Sequence, residues 1–283
     1  MKNSFKLIFA VAALVFGMAS ASAATAKKEI KVGSGEEFIK ALGNDRTIIV
    51  EAEYLDITET LGQFPELYCD DYESETRNVF CVGETDGPEF HIKGLKNLTI
   101  KAGYDVVTFV CQPRYANVIS FTDCVDLTLD GITFGHTEEG YCSQGVLGFY
   151  HCSGVEVDYC DLFGCGTEGI MVSSCQGMLF KGTKIRDCSY HIMHLYGSEN
   201  ILFESCQFFR NREYELVNIY ECQNVFFNNC MFANNTGNLF NIESPVTFRN
   251  CVILHDSMFL NFDNIYMENC ISEEFFHTEQ TLG

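Results

Sequence analysis

Asn200–Phe209 reads NILFESCQFF, Asn224–Ala233 reads NVFFNNCMFA, and Pro245–Leu254 reads PVTFRNCVIL. In each stretch the second residue is apolar and opens a unit, with Phe two positions after it, Cys five after and another apolar residue seven after. A spacing of two is that of a strand whose alternate residues share a face. Moving outward, the same unit opens at Leu98, Leu127, Val155, Met178, Ile201, Val225, Val246 and Ile265. The openings recur about every 23 residues, the length of one coil of a β-solenoid with two or three short strands. Like residues then stack about 4.8 Å apart, the spacing of hydrogen-bonded strands. Phe180, Phe203, Phe227 and Phe248 become rungs of one interior ladder, and Phe134, Leu162, Ile185, Phe208, Phe232 and Ile253 rungs of another. Each rung buries apolar surface at roughly 25 cal/mol per Å².

A further strand precedes each opening. It contributes Ile119/Phe121, Leu147/Phe149, Ile170/Val172, Met193/Leu195, Val217/Ile219, Phe240/Ile242 and Leu260/Phe262 to the interior. Most of the fifteen cysteines fall into the same columns. Cys124, Cys152, Cys175 and Cys222 stand three residues before an opening, and Cys160, Cys206, Cys230, Cys251 and Cys270 five after one. Free Cys packs as a small hydrophobe, so these are expected as unpaired thiols. A single column lacks the tetrahedral ligand spacing of a zinc site, so no metal cluster is expected.

The ends differ from the repeat. Lys2 and Lys6 precede an apolar run from Leu7 to Met18, and Ala21-Ser22-Ala23 follows. Residues 1–23 read as a cleavable secretory signal, the mature chain starting near Ala24, secreted or periplasmic. Later residues show no run resembling a membrane helix. Residues 24–60 read as an N-terminal cap. Ser34 and Glu37 form a capping box, Phe38, Ile39, Ala41 and Leu42 an apolar side, and Gly43 a helix end. Residues 61–93 leave the repeat and read as an irregular insertion, where Cys69 and Cys81 are the disulfide candidates. Residues 94–276 carry the solenoid, and 277–283 a tail.

The capped start, GLKNLTIKA at Gly94–Ala102, and the Asn-apolar-x-Phe-x-x-Cys units resemble right-handed parallel β-helix repeat proteins of the pectate-lyase-like superfamily. That resemblance implies an all-β fold: a single-stranded right-handed parallel β-helix of about 8 coils with a short N-terminal capping helix. The fold hosts lyases, hydrolases, esterases, epimerases and adhesins, so function has to come from a site. FGHTEEG at 134–140 and TKIRDC at 183–188 depart from the Gly-His-Gly and Arg-Ile-Lys segments of the polygalacturonase branch. No catalytic residue carries over by resemblance.

The formal net charge of −21 argues against nucleic acid and anionic membranes. The outward residues of the strand before each opening point to a glycan. They include Tyr150, His194/Tyr196, Asn218/Tyr220, Asn241/Glu243 and Asn261/Asp263, with His136 and His191 in turns leading to that strand. Tyr rings cover the apolar faces of sugars, and amides and carboxylates read hydroxyls. The same residues would also make good cross-strand stacks in a purely structural sheet. For a lyase, His194 or Tyr196 would be the base and Arg210 or Arg212 the uronate's partner. For a glycosidase, Glu243 and Asp263 would be the carboxyl pair. Tyr150, Asn218, Tyr220, Asn241, Asn261, His136 and His191 would bind substrate. No cofactor is required, although the Glu243/Asp263 pair would also suit Ca²⁺. The alternative is a non-catalytic cell-surface or periplasmic binding or scaffold protein.

Overall fold

The computed structural model describes residues 27–70, 75–137, 144–164, 167–254 and 264–272. The expected signal segment, the 138–143 turn, Leu260/Phe262, Asn261, Asp263 and the tail lie outside them. The chain winds as a parallel β-helix of three sheets, here A, B and C, holding ten, nine and nine strands. Sheet A carries the opening residues in register: Leu98 pairs with Leu127, Leu127 with Val155, Val155 with Met178, and so on to Val246 with Ile265. Sheet B aligns Phe109, Phe134, Leu162, Ile185, Phe208, Phe232 and Ile253. Sheet C aligns Ile119, Leu147, Ile170, Met193, Val217 and Phe240. One continuous apolar core runs between the three sheets. Among the described residues no helix is long and apolar enough to cross a membrane.

The repeated Asn, Asp and Gly make the corners. Asn97, Asp126, Asn200 and Asn224, each one residue before an opening, adopt φ of 55–59°, and Gly154 and Gly177 in the same column adopt 64° and 68°. This left-handed conformation disfavours most L-residues, and Asn and Asp tolerate it best after Gly. Stacked corners also share side-chain bonds, as Asn224 Nδ2 donates to Asn200 Oδ1 at 3.0 Å.

A second amide pair lies inside the turn from sheet B to sheet C. Asn211 is fully buried. Its Oδ1 accepts from the Cys188 N–H at 3.0 Å, and its Nδ2 donates to the Ile185 carbonyl at 3.2 Å and to Asn235 Oδ1 at 3.0 Å. Asn211→Ala takes the amide from the Cys188 N–H and the Ile185 carbonyl, while Asn235 Oδ1 keeps the residue-211 N–H, and is expected to cost about 2 kcal/mol. Chemical denaturation would measure it; an unchanged midpoint would show that water replaces the amide.

At the N-terminal end the helix Gly35–Ala41 lies over the first coil, with Phe38 fully buried. Ser34 Oγ accepts from the Glu37 N–H at 3.2 Å, and Glu37 Oε2 accepts from the Gly33 N–H at 2.7 Å. The helix ends at Leu42 rather than on Gly43. There the Arg46 guanidinium donates to the Ala41 and Leu42 carbonyls at 2.5 and 3.0 Å.

The 61–93 segment is less irregular than its composition suggests. Strands Val79–Gly83 and Pro88–Lys93 form an antiparallel hairpin, and the second pairs in parallel with Ile119–Thr122 of sheet C. The Cys69–Cys81 bridge is not formed, since Cys81 carries a free, buried thiol, pushed up to about 12 by burial and by nearby Cys69. The register explains this. Cys69 pairs with Val82 and Tyr68 with Cys81, so the two sulfurs leave opposite faces of the sheet.

Candidate functional site

Strand alternation turns one residue in two of sheet C outward. Two outward columns run the length of the sheet. Met171, His194, Asn218 and Asn241 align in one, and Tyr150, Ser173, Tyr196 and Tyr220 in the other. Toward the C-terminal end these side chains interlock. Tyr220 Oη donates to Asn218 Oδ1 at 3.2 Å, and Asn241 Nδ2 donates to the same oxygen at 3.0 Å and contacts the Tyr220 hydroxyl. Asn218 Nδ2 donates to the Glu215 carbonyl at 2.8 Å and lies 3.0 Å from His191 Nδ1, which also meets that carbonyl.

The His194 ring stands 5.8 Å from the Tyr220 ring. Burial, then the neighbouring His191, depresses its pKa, so a neutral imidazole prevails at neutral pH. Tyr196 is 43% exposed, and a bond to Glu221 raises its phenol. His191, His194, Asn218, Tyr220 and Asn241 therefore form one linked patch with Tyr196 alongside.

Other expected site residues lie elsewhere. His136 does not reach the surface: it is 3% exposed, and its Nε2 bonds the Ala116 carbonyl at 3.0 Å. The ring, at the end of strand Thr133–His136, turns to the Ala116 carbonyl instead of to a ligand. Asn218 is itself only 4% exposed, so it organises the patch more than it meets a ligand. Arg210 sits at the corner leaving sheet B, where Nε and Nη2 grip the two Asp187 oxygens at 2.7 Å each. Its guanidinium also lies 4.7 Å from the Phe209 ring, so the charge is engaged there. Glu243 is exposed at the end of the patch, whereas Asn261 and Asp263 fall outside the described residues. Among the described residues no group of three or more His, Cys, Asp or Glu is placed to hold a metal.

The other end of sheet C holds a cleft of roughly 260 Å³ that the repeat pattern did not reveal. Val82, Glu84, Glu89, His91, Thr122, Gln144, Tyr150 and His151 line it. Glu89 is 5% exposed and heavily bonded. Its Oε1 accepts from Ser120 Oγ at 2.5 Å and Asn117 Nδ2 at 3.3 Å, and its Oε2 from the Asn117 N–H at 3.0 Å. His91 Nε2 lies 3.4 Å from Glu89 Oε1, and its ring stacks on Phe80 at 5.0 Å. Burial and Lys93 hold the His91 pKa down to about 4. The Tyr150 ring folds back over Gly148, where a Cβ would come within 2.7 Å of its Cε2.

His91 had a signal in the sequence. It stands seven residues before Leu98, as Ser120 does before Leu127 and His194 before Ile201. Extending the column by one coil finds it. Glu84 and Glu89 had none, because the hairpin that carries them occurs once.

The family model described as "Right handed beta helix region" matches residues 117–274, over half of the chain. A pectate lyase from Paenibacillus sp. 0602 aligns with 85% of this chain and 73% of its own at 11% identity and a TM-score of 0.54. The pectin methylesterase from Aspergillus niger covers 88% and 86% at 8% identity, with a TM-score of 0.51. PfbA, a surface adhesin of Streptococcus pneumoniae, covers 82% and 64% at 12% identity, also with a TM-score of 0.51. No curated protein sequence matches the chain. At these identities the likeness is one of fold.

Proposed function

Because the chain belongs to the right-handed β-helix family, we propose that it is an exported protein that engages a glycan along the outer face of sheet C. The observation that carries this is the linked patch itself: Tyr, His and Asn side chains aligned coil by coil, with Tyr196 open to solvent. A rigid sheet offers such groups at intervals of about 4.8 Å, so a long polar chain can meet several at once. Tyr rings supply apolar platforms and the amides supply bonds to hydroxyls. Two of the fold's relatives, a pectate lyase and a pectin methylesterase, are named for polysaccharide chemistry, and a third is an adhesin. The Lys-apolar-Ala-x-Ala start supports export.

Binding is the primary reading, because Arg210 is taken up by Asp187 and so does not offer a uronate its partner. The neutral His194 favours a lyase as the second reading, since it is a base within reach of a bound chain. Incubation with uronic-acid and neutral polysaccharides separates the two. Retention without unsaturated products or new reducing ends supports a binder, and turnover abolished in His194→Ala supports the lyase. Tyr196→Ala and Tyr220→Ala are each expected to weaken retention about tenfold or more, while stability falls by about 1 kcal/mol or less. Affinity electrophoresis with thermal melts checks both, and a large melting shift with unchanged retention would assign the rings to structure.

A further inference from the structure

We propose that the cleft at the N-terminal end of sheet C is a subsite for an amino-sugar residue, its ring laid on Tyr150 and its ammonium group held between Glu84 and Glu89. The inference rests on the glycan reading above and names the substrate class.

The cleft has the parts such a residue needs. At roughly 260 Å³ it suits a single sugar ring rather than a stretch of chain. Gly148 lets the Tyr150 ring lie along the sheet, so the cleft has an aromatic platform. Thr122 and Gln144 add a hydroxyl and an amide that can pair with sugar hydroxyls. The cleft also opens on the same outer face as the Tyr196/Tyr220 patch, separated from it along one column by Ser173.

Its charge selects the class. Glu84, Glu89 and the adjacent Asp86 are acidic, whereas His91 is held neutral by burial and Lys93. Lys93 Nζ donates to the Glu75 carbonyl at 2.9 Å. His151 completes the titratable groups lining the cleft. Burial, then Glu89 and Asp86, raises the Glu84 pKa, and burial raises that of Glu89. A bound cation relieves this repulsion, and a uronate adds to it. Glu89 can receive it, because a carboxylate offers about four acceptor positions and, among the described residues, Oε2 accepts from the Asn117 N–H alone. Glu84 lies on the same side of the hairpin, two residues beyond Val82, the register partner of Glu89.

The test is calorimetric titration of the purified protein at low salt with a glucosamine hexamer, its fully N-acetylated counterpart and an oligogalacturonate of equal length. The glucosamine hexamer is expected to bind at least tenfold more tightly than the acetylated one, and the oligogalacturonate most weakly. Glu84 is exposed, so Glu84→Gln should fold normally while losing most of that tenfold preference, about 1.4 kcal/mol. Glu156→Gln, on the outer face of sheet A, removes the same charge far from the cleft and should change affinity less than twofold. Equal affinity for the acetylated hexamer, preference for the uronate, or equal losses in the two variants would overturn the proposal, the last by reducing it to bulk charge. If another glycan is bound through Tyr196 and Tyr220 while glucosamine is not, only this subsite fails. If no glycan is bound at all, the glycan reading fails with it.

Discussion

Phe227→Ala is expected to lower the unfolding free energy by about 3–5 kcal/mol. Phe227 is fully buried. Its ring stacks on Phe203 at 4.6 Å and on Phe248 at 4.7 Å, and meets the edges of Phe208 at 6.2 Å and Phe232 at 5.8 Å from sheet B. Backbone pairing on both sides holds these neighbours in place, so the cavity cannot collapse well. The next residue back, Phe226, faces outward beside Arg249, and Phe226→Ala should cost much less. Urea denaturation measures both. A solenoid is stabilised coil against neighbouring coil, so a fall in the denaturant slope would show the coils beyond Phe227 unfolding separately. Equal small losses in the two variants would mean that Phe227 is not a rung.

Glu168→Gln is expected to stabilise the protein by on the order of 3 kcal/mol above pH 7 and to do little at pH 4. Glu168 is 6% exposed, at the start of a sheet C strand. Burial raises its pKa from 4.5 to about 7. The native state therefore holds this proton more tightly than the unfolded chain does. The carboxyl is harmless below pH 4.5, costs stability progressively between pH 4.5 and 7, and carries its full cost above that. Glutamine keeps the shape and removes the charge. The readout is the difference between variant and parent at the two pH values, which cancels the contribution of Glu89, shifted in the same direction. A gain that is the same at pH 4 and pH 8 would show that the effect is not ionisation.

The spacing of like residues was enough to derive the coil, because stacked coils must repeat what they bury. Leu98 through Ile265 pair as the interval implies, and Phe180, Phe203, Phe227 and Phe248 form one stack. The two outward columns were legible for the same reason, Tyr150 to Tyr220 in one and His194 to Asn241 in the other. What those columns do locally was not. His136 and Arg210 are polar residues in turns, a pattern equally consistent with a ligand site or an internal partner. The fold buried one against the Ala116 carbonyl and gave the other to Asp187.

The sequence by itself determined which residues face inward and the order of the coils, since a period of two within a period near 23 admits one economical winding. Only the tertiary structure decided where a cleft opens. Val79–Lys93 doubles back as a hairpin against the first coils and brings Glu84 and Glu89 to Tyr150 of a later coil. That encounter joins segments with no shared pattern, and pairing between unlike segments leaves no periodic trace in the chain.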